Sequence, residues 1–179
     1  MFSKLRLSLP WHHEDHTYLK NFLFGVEDSL VSTVGLLAGV AAADASRTAI
    51  ITTGLVLIVV EGFSMGIGSF LTEETTEEMT GLEDNDGLAL KGGLTMLLSY
   101  VAAGLLPLTP YIFWESNIAT SISIAVSLSG LFCLGFGTAL YFKRSKPLVR
   151  ALKMFFLGGL AVLVGVVIGK ILLTFHQFS

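Results

Sequence analysis

Two uninterrupted runs without a charged residue set the fold class of this chain. Gly92 to Trp114 spans 23 residues and Ser116 to Phe142 spans 27. A bilayer core about 30 Å thick is crossed by roughly 20 apolar residues of helix. Two such runs in a chain of 179 residues exclude a soluble globule. They also exclude disorder and a barrel, whose strands alternate polar and apolar positions. Composition agrees: 53% of residues are hydrophobic and 14% are charged, against about 25% charged in soluble domains. The chain reads as an all-α, multi-pass membrane protein.

Five segments are long enough to cross: Asn21–Ala43, Thr48–Leu71, Leu88–Phe113, Ile118–Phe142 and Leu152–Phe175. Residues 1–20 form a polar leader with no apolar stretch suited to a cleavable signal. Residues 21–179 form one transmembrane domain. Its connections are short except for the acidic stretch 72–87. Ser46 and Asn117 are expected N-caps of the second and fourth helices. Pro107 and Pro110 fall near the end of the third, where a lost backbone hydrogen bond is best tolerated.

The basic residues orient the chain. With the N-terminus in the cytosol, the inner side holds Lys4, Arg6, Lys20, Lys91, Lys143, Arg144, Lys146, Arg150 and Lys153. The outer side holds Arg47 and Lys170, so nine of eleven basic residues are inside. Five spans then place the C-terminus outside or in a lumen. Trp11, Tyr111, Trp114, Tyr141 and Phe175 fall where an aromatic interface belt would. Gly35/Gly39, Gly62/Gly66 and Gly165/Gly169 carry the four-residue spacing that lets helices approach closely in lipid. That spacing serves packing within one chain or between two subunits.

Function classes narrow in the same way. A net charge of −3 gives no basic footprint for nucleic acid. The single cysteine, Cys133, permits neither an internal disulfide nor a thiolate metal cluster. No phosphate loop and no nucleophile–base set is present, so the chain does not read as an enzyme and no resident cofactor is expected.

Three acids sit where lipid should be: Glu27 and Asp28 in the first span and Glu61 in the second. A carboxylate at the bilayer centre costs about 2.5–3.5 kcal/mol even on the lenient scale, so such residues usually mark an ion or proton path. Ser29, Ser32 and Thr33 add oxygen atoms near the first pair, and Met65 lies one turn beyond Glu61 on the same face. Carboxylates with a thioether suit a divalent transition metal better than calcium or sodium. Plainer readings stand beside these. Glu27 can be a solvated entrance charge, Asp28 can cap a helix break, Glu61 can be a hydrogen-bonded packing residue and Met65 can fill the core. A second acidic set, Glu73, Glu74, Glu77 and Glu78, forms like-charge i,i+4 pairs if the helix continues, and a bound cation would relieve them. Without a cation it is a solvated stalk. Glu83 to Gly87 misses the calcium-loop pattern, with Leu82 at its first ligand position and Gly93 at its twelfth. His12, His13, Glu14, Asp15 and His16 can hold a metal or simply be a polar leader.

The stretches Phe24–Thr33 and Leu36–Ala41 resemble the first-helix motif of the vacuolar iron transporter family. Glu61–Leu71 resembles its second-helix motif, and Leu105–Tyr111 its third helix. The resemblance implies a homodimer exporting Fe²⁺, and often Mn²⁺, from cytosol to vacuole or cell exterior in exchange for protons. It implies a path at the dimer interface, lined here by Asp28 and Met65. Departures accompany it. Glu27 and Ser29 flank the aspartate where the family has Asn or Ser and then Gly. Leu57 occupies the position of a path glutamate, for which Glu61 stands as a substitute. About sixteen residues replace a long metal-binding insertion, leaving Glu73, Glu74, Glu77 and Glu78 as its possible remnant. A non-transporting structural or partner-binding homodimer of the same fold is the alternative.

Overall fold

The computed structural model describes residues 13–80, 87–143 and 145–177. Those residues form five helices: α1 (His13–Ala42), α2 (Arg47–Thr80), α3 (Leu88–Phe113), α4 (Ser116–Tyr141) and α5 (Pro147–Gln177). Each is long and apolar enough to cross a membrane. The chain is a multi-pass integral membrane protein.

Two of the five expected spans keep close to their boundaries and three grow. α1 begins at His13, within residues read as leader, and α5 begins at Pro147. α2 has 34 residues, or about 50 Å at 1.5 Å per residue, which exceeds the hydrocarbon thickness. Residues 72–80, read as part of a loop, are its projecting last turns. Ser46 caps α2 as expected, its Oγ accepting the Ala49 N–H at 3.2 Å. Asn117 does not cap α4. The cap position is Glu115, whose carbonyl accepts the Ala119 N–H at 2.8 Å. Trp11, His12, Glu83 to Asp86, Arg144 and Ser179 lie outside the described residues, as do Lys4, Arg6 and the side chains of residues 13–16.

α3 is the hub, packed on α1, α2 and α4, while α5 packs on α1 and α4. The core between α1, α2, α3 and α4 is Leu37, Ile50, Ile58, Leu108, Tyr111 and Ala119. Tyr111 is therefore no interface anchor. It is 0% exposed, and its hydroxyl donates to Thr120 Oγ1 at 3.0 Å. Trp114, Tyr141 and Phe175 are exposed, as a belt requires.

The glycine pairs are consumed within the protomer. A Cβ at Gly39 would lie 2.7 Å from the Gly165 carbonyl oxygen, and one at Gly169 would collide with the Gly39 carbonyl. Gly35 and Gly165 oppose each other likewise. These contacts set α1 and α5 side by side and parallel. Gly66 faces the Gly93 carbonyl at 3.0 Å, and Gly62 faces Val101 and Tyr100, so the second pair seats α3. At the end of the bundle holding the α1–α2 connection, Arg47 ties two helix ends together. Its Nε donates to the Tyr111 carbonyl at 2.6 Å and its Nη2 to that of Ile112, supplying a cation and donors where the last carbonyls of α3 lack intrahelical partners.

Candidate functional site

Helix geometry carries the three central candidates to one level of the bundle. Along α2, Ile58, Gly62 and Gly66 are buried against its neighbours. Leu57, Glu61 and Met65 follow one another at four-residue spacing and are all partly exposed, so they form a single stripe beside the buried one. Along α1, Asp28 is partly exposed while Ser29, Leu30 and Thr33 are buried. Asp28 lies within electrostatic reach of Glu61. Two carboxylates from different helices thus share one region, with the Met65 thioether one turn away.

Glu61 is held from behind. Its Oε2 accepts the hydroxyl proton of Tyr100 on α3. Tyr100 Oη lies 2.7 Å from Ser32 Oγ on α1, and Ser29 Oγ donates to the Tyr100 carbonyl at 2.6 Å. Ser29, counted from the sequence among possible metal oxygens, is committed to α3. Thr33 is fully buried, and its hydroxyl has no hydrogen-bond partner among the described residues. Sequence reasoning passed over Tyr100. The available signal was a tyrosine in the middle of a charge-free span, because a buried tyrosine usually finds a partner for its hydroxyl.

An open groove of about 720 Å³ runs between α1, α2 and α5. It starts at Ser32 and Glu61 and extends past Gly35, Gly39 and Val164 toward Ala43 and Leu172. Glu61 therefore marks the inner end of a cleft that leads to the α1–α2 end of the molecule. Its walls are glycine, alanine, leucine, valine and isoleucine apart from Ser32 and Glu61.

The remaining candidates lie elsewhere. Glu27 is partly exposed and within electrostatic reach of Arg150 on α5, which gives its charge a counterpart away from Glu61. The four acids at the end of α2 divide by helical phase. Glu74 and Glu78 are exposed, whereas Glu73 and Glu77 are buried. Glu73 Oε1 accepts the Thr17 hydroxyl at 3.0 Å and Oε2 lies 3.9 Å from Lys20 Nζ, so this acid joins α2 to α1. Among the described residues, no three His, Cys, Asp or Glu side chains converge closely enough to hold a metal ion.

Comparison with known proteins matches this chain to one family. A profile of the VIT family matches residues 19–84 and 75–170. The "Vacuolar iron transporter" of Centaurea cyanus is 24% identical over 215 residues, covering 83% of this chain and 87% of that protein. "Vacuolar iron transporter 1" of Arabidopsis thaliana is 23% identical, covering 86% and 87%. "Vacuolar iron transporter homolog 1" of Oryza sativa subsp. japonica is 28% identical, covering 79% and 68%. The 215-residue alignment is longer than the 179 residues of this chain, so that relative carries residues without a counterpart here. The two profile matches overlap at residues 75–84, a stretch that begins in the last turns of α2. With its five apolar helices and the match from the first to the last of them, the chain belongs to the VIT family.

Proposed function

We propose that this protein exports a divalent transition metal from the cytosol in exchange for protons, Fe²⁺ first and Mn²⁺ next, as a homodimer. The observation that carries the reading is the pairing of Asp28 and Glu61 inside the membrane-spanning region, with Met65 a turn from Glu61. Isolated carboxylates in lipid are unfavourable, and a cation shared between them removes the penalty. Two carboxylates and a thioether form a mixed hard and soft donor set, which suits Fe²⁺ and Mn²⁺. One protomer supplies fewer donors than such ions take, and a second copy across the path doubles the set. The names borne by the relatives support iron as the cargo.

Coupling follows from the same oxygens. A carboxylate must lose its proton to ligate metal, so metal and protons compete, and metal affinity rises with pH on the loading side. Met65 cannot protonate. Met65→Ala is expected to change the order of preference among metals while preserving metal-driven proton movement. Glu61→Gln is expected to abolish that movement, because a neutral amide cannot cycle a proton. Proteoliposomes containing a pH-sensitive dye, given Fe²⁺, Mn²⁺, Co²⁺ and Zn²⁺ side by side, test both. Wild-type proton movement in Glu61→Gln and in Asp28→Asn contradicts the coupling. Absence of metal flux in the wild type favours the non-transporting alternative.

A further inference from the structure

Glu61 owes its position to a neighbour on another helix. Tyr100 is 0% exposed at the middle of α3. A Cβ placed on Gly62 would sit 3.3 Å from Tyr100 Cδ1, so the glycine beside Glu61 is the seat of the tyrosine ring. Ser29 holds the Tyr100 carbonyl at 2.6 Å, and Gly104, one turn along α3, admits Ser29 and Ile58. The ring is thus buried against Gly62 and its backbone carbonyl is held by Ser29 where the phenol meets the carboxylate.

A tyrosine hydroxyl has one proton to donate. It goes to Glu61 Oε2, so Ser32 Oγ, 2.7 Å away, is the donor in the other bond. The order is Ser32 to Tyr100 to Glu61, and it links α1, α3 and α2. One carboxylate oxygen is thereby engaged by a buried, hydrogen-bonded group. Oε1 is the oxygen a metal can take without breaking this chain of bonds.

We propose that Tyr100 is a positioning residue that restricts Glu61 to one-oxygen coordination, and so sets the preference of the path for small transition ions over Ca²⁺. This rests on the metal-transport reading above. Calcium takes 6–8 oxygen ligands at about 2.3–2.6 Å and readily uses both oxygens of a carboxylate. Transition ions combine fewer ligands with softer donors such as the Met65 thioether. Groups that hydrogen-bond a ligating carboxylate orient it, and their loss typically weakens metal binding by about 10–100-fold. Removing the phenol oxygen frees Oε2, which penalises the transition ion and gives calcium a second oxygen.

The test uses the full chain in lipid nanodiscs, titrated with Co²⁺ and with Ca²⁺. The visible spectrum of bound Co²⁺ reports its coordination. Tyr100→Phe should weaken Co²⁺ by about 10–100-fold, lower the Co²⁺-to-Ca²⁺ affinity ratio by about tenfold or more, and change the Co²⁺ spectrum. Ser32→Ala, which removes the donor to Tyr100 but leaves the ring, should move the ratio the same way by less. In a Glu61→Gln background, adding Tyr100→Phe should change neither ratio nor spectrum. An equal loss of both metals, or a ratio shift that persists without the Glu61 carboxylate, overturns the proposal and leaves Tyr100 a packing residue. If Tyr100→Phe does not fold, an unchanged ratio in Ser32→Ala overturns it. A wild type that binds Co²⁺ yet moves no metal across vesicles defeats the transport reading and spares Tyr100. A wild type that transports, with an unaltered ratio in Tyr100→Phe, defeats only this proposal. A wild type that binds neither ion defeats both.

Discussion

Glu73, Glu74, Glu77 and Glu78 have the same chemistry and differ only in helical phase, and phase decides what each can do. Glu74 and Glu78 face solvent. They can concentrate cations near an entrance, a long-range effect screened beyond about 8–10 Å in ordinary salt. Glu73 is 5% exposed and accepts the hydroxyl of Thr17, itself buried. A hydrogen bond to a charged group contributes about 1.5–3 kcal/mol, whereas the Lys20 contact, from a side chain 66% exposed, adds little. The four acids should therefore respond in two ways. Changing Glu74 and Glu78 together to Gln is expected to raise the KM for metal at unchanged maximal rate and unchanged thermal unfolding. Thr17→Val is expected to destabilise by about 1.5–3 kcal/mol, read as a lower unfolding temperature in detergent. Equal loss of stability in both variants would remove the distinction drawn here.

Spans are the most legible elements because apolar length is a property of the residues themselves, and all five cores coincide with helices. Partner choice is much less legible. The spacing of Gly35 and Gly39 announces a close approach, but it does not say that the approaching backbone is α5 of the same chain. The end of α2 was hidden by its like charges, which argue against a helix until Glu73 is seen turned onto α1. Arg47 was visible only as an exception to the inward bias of basic residues. Its bonds to the last carbonyls of α3 are tertiary facts. At the site, Asp28 and Glu61 were readable as charges inside apolar spans and Met65 by its place one turn beyond Glu61, while the Tyr100 contact was not, since it depends on which helix α3 meets. The seams give a prediction at this scale. A Cβ on Gly165 would meet the Gly35 carbonyl, whereas one on Gly159 would meet nothing within 4 Å. Gly165→Ala is expected to cost about 1–3 kcal/mol through overpacking. Gly159→Ala is expected to be neutral or stabilising by up to about 1 kcal/mol. Thermal unfolding of the pair checks this, and equal stability would show that the α1–α5 seam can relax.

The bundle as a whole has a direction and an uncovered face. Direction is an expectation from the sequence: with the N-terminus in the cytosol, nine of the eleven basic residues fall on the inner side, which predicts a cytosolic α2–α3 connection. In a Cys133→Ser background, single cysteines at Glu78 and at Gln177 should label from opposite sides. Labelling of both from one side contradicts the orientation. The uncovered face is the groove between α1, α2 and α5, with Glu61 at its inner end. A carboxylate partly open toward lipid is costly, and the groove is too apolar to stabilise it with water along its length. A second copy laid on the same face would shield both acids, and a two-fold arrangement of identical faces closes without leaving an edge. The glycine pairs cannot form that contact, because α3 and α5 already occupy them. The groove-facing sides of α1, α2 and α5 outside those glycines are what is left, Leu57 of α2 among them. Leu57→Trp, on that surface, should therefore yield monomers by mass measurement in mild detergent and lose transport while keeping its unfolding temperature within a few degrees. Leu98→Trp, at a position 65% exposed on α3, should change neither. Gly62→Leu should instead lower the unfolding temperature, since it displaces Tyr100 within the protomer. A monomeric Leu57→Trp variant with intact transport would place the path inside one chain, and the groove would then be a lipid-facing surface.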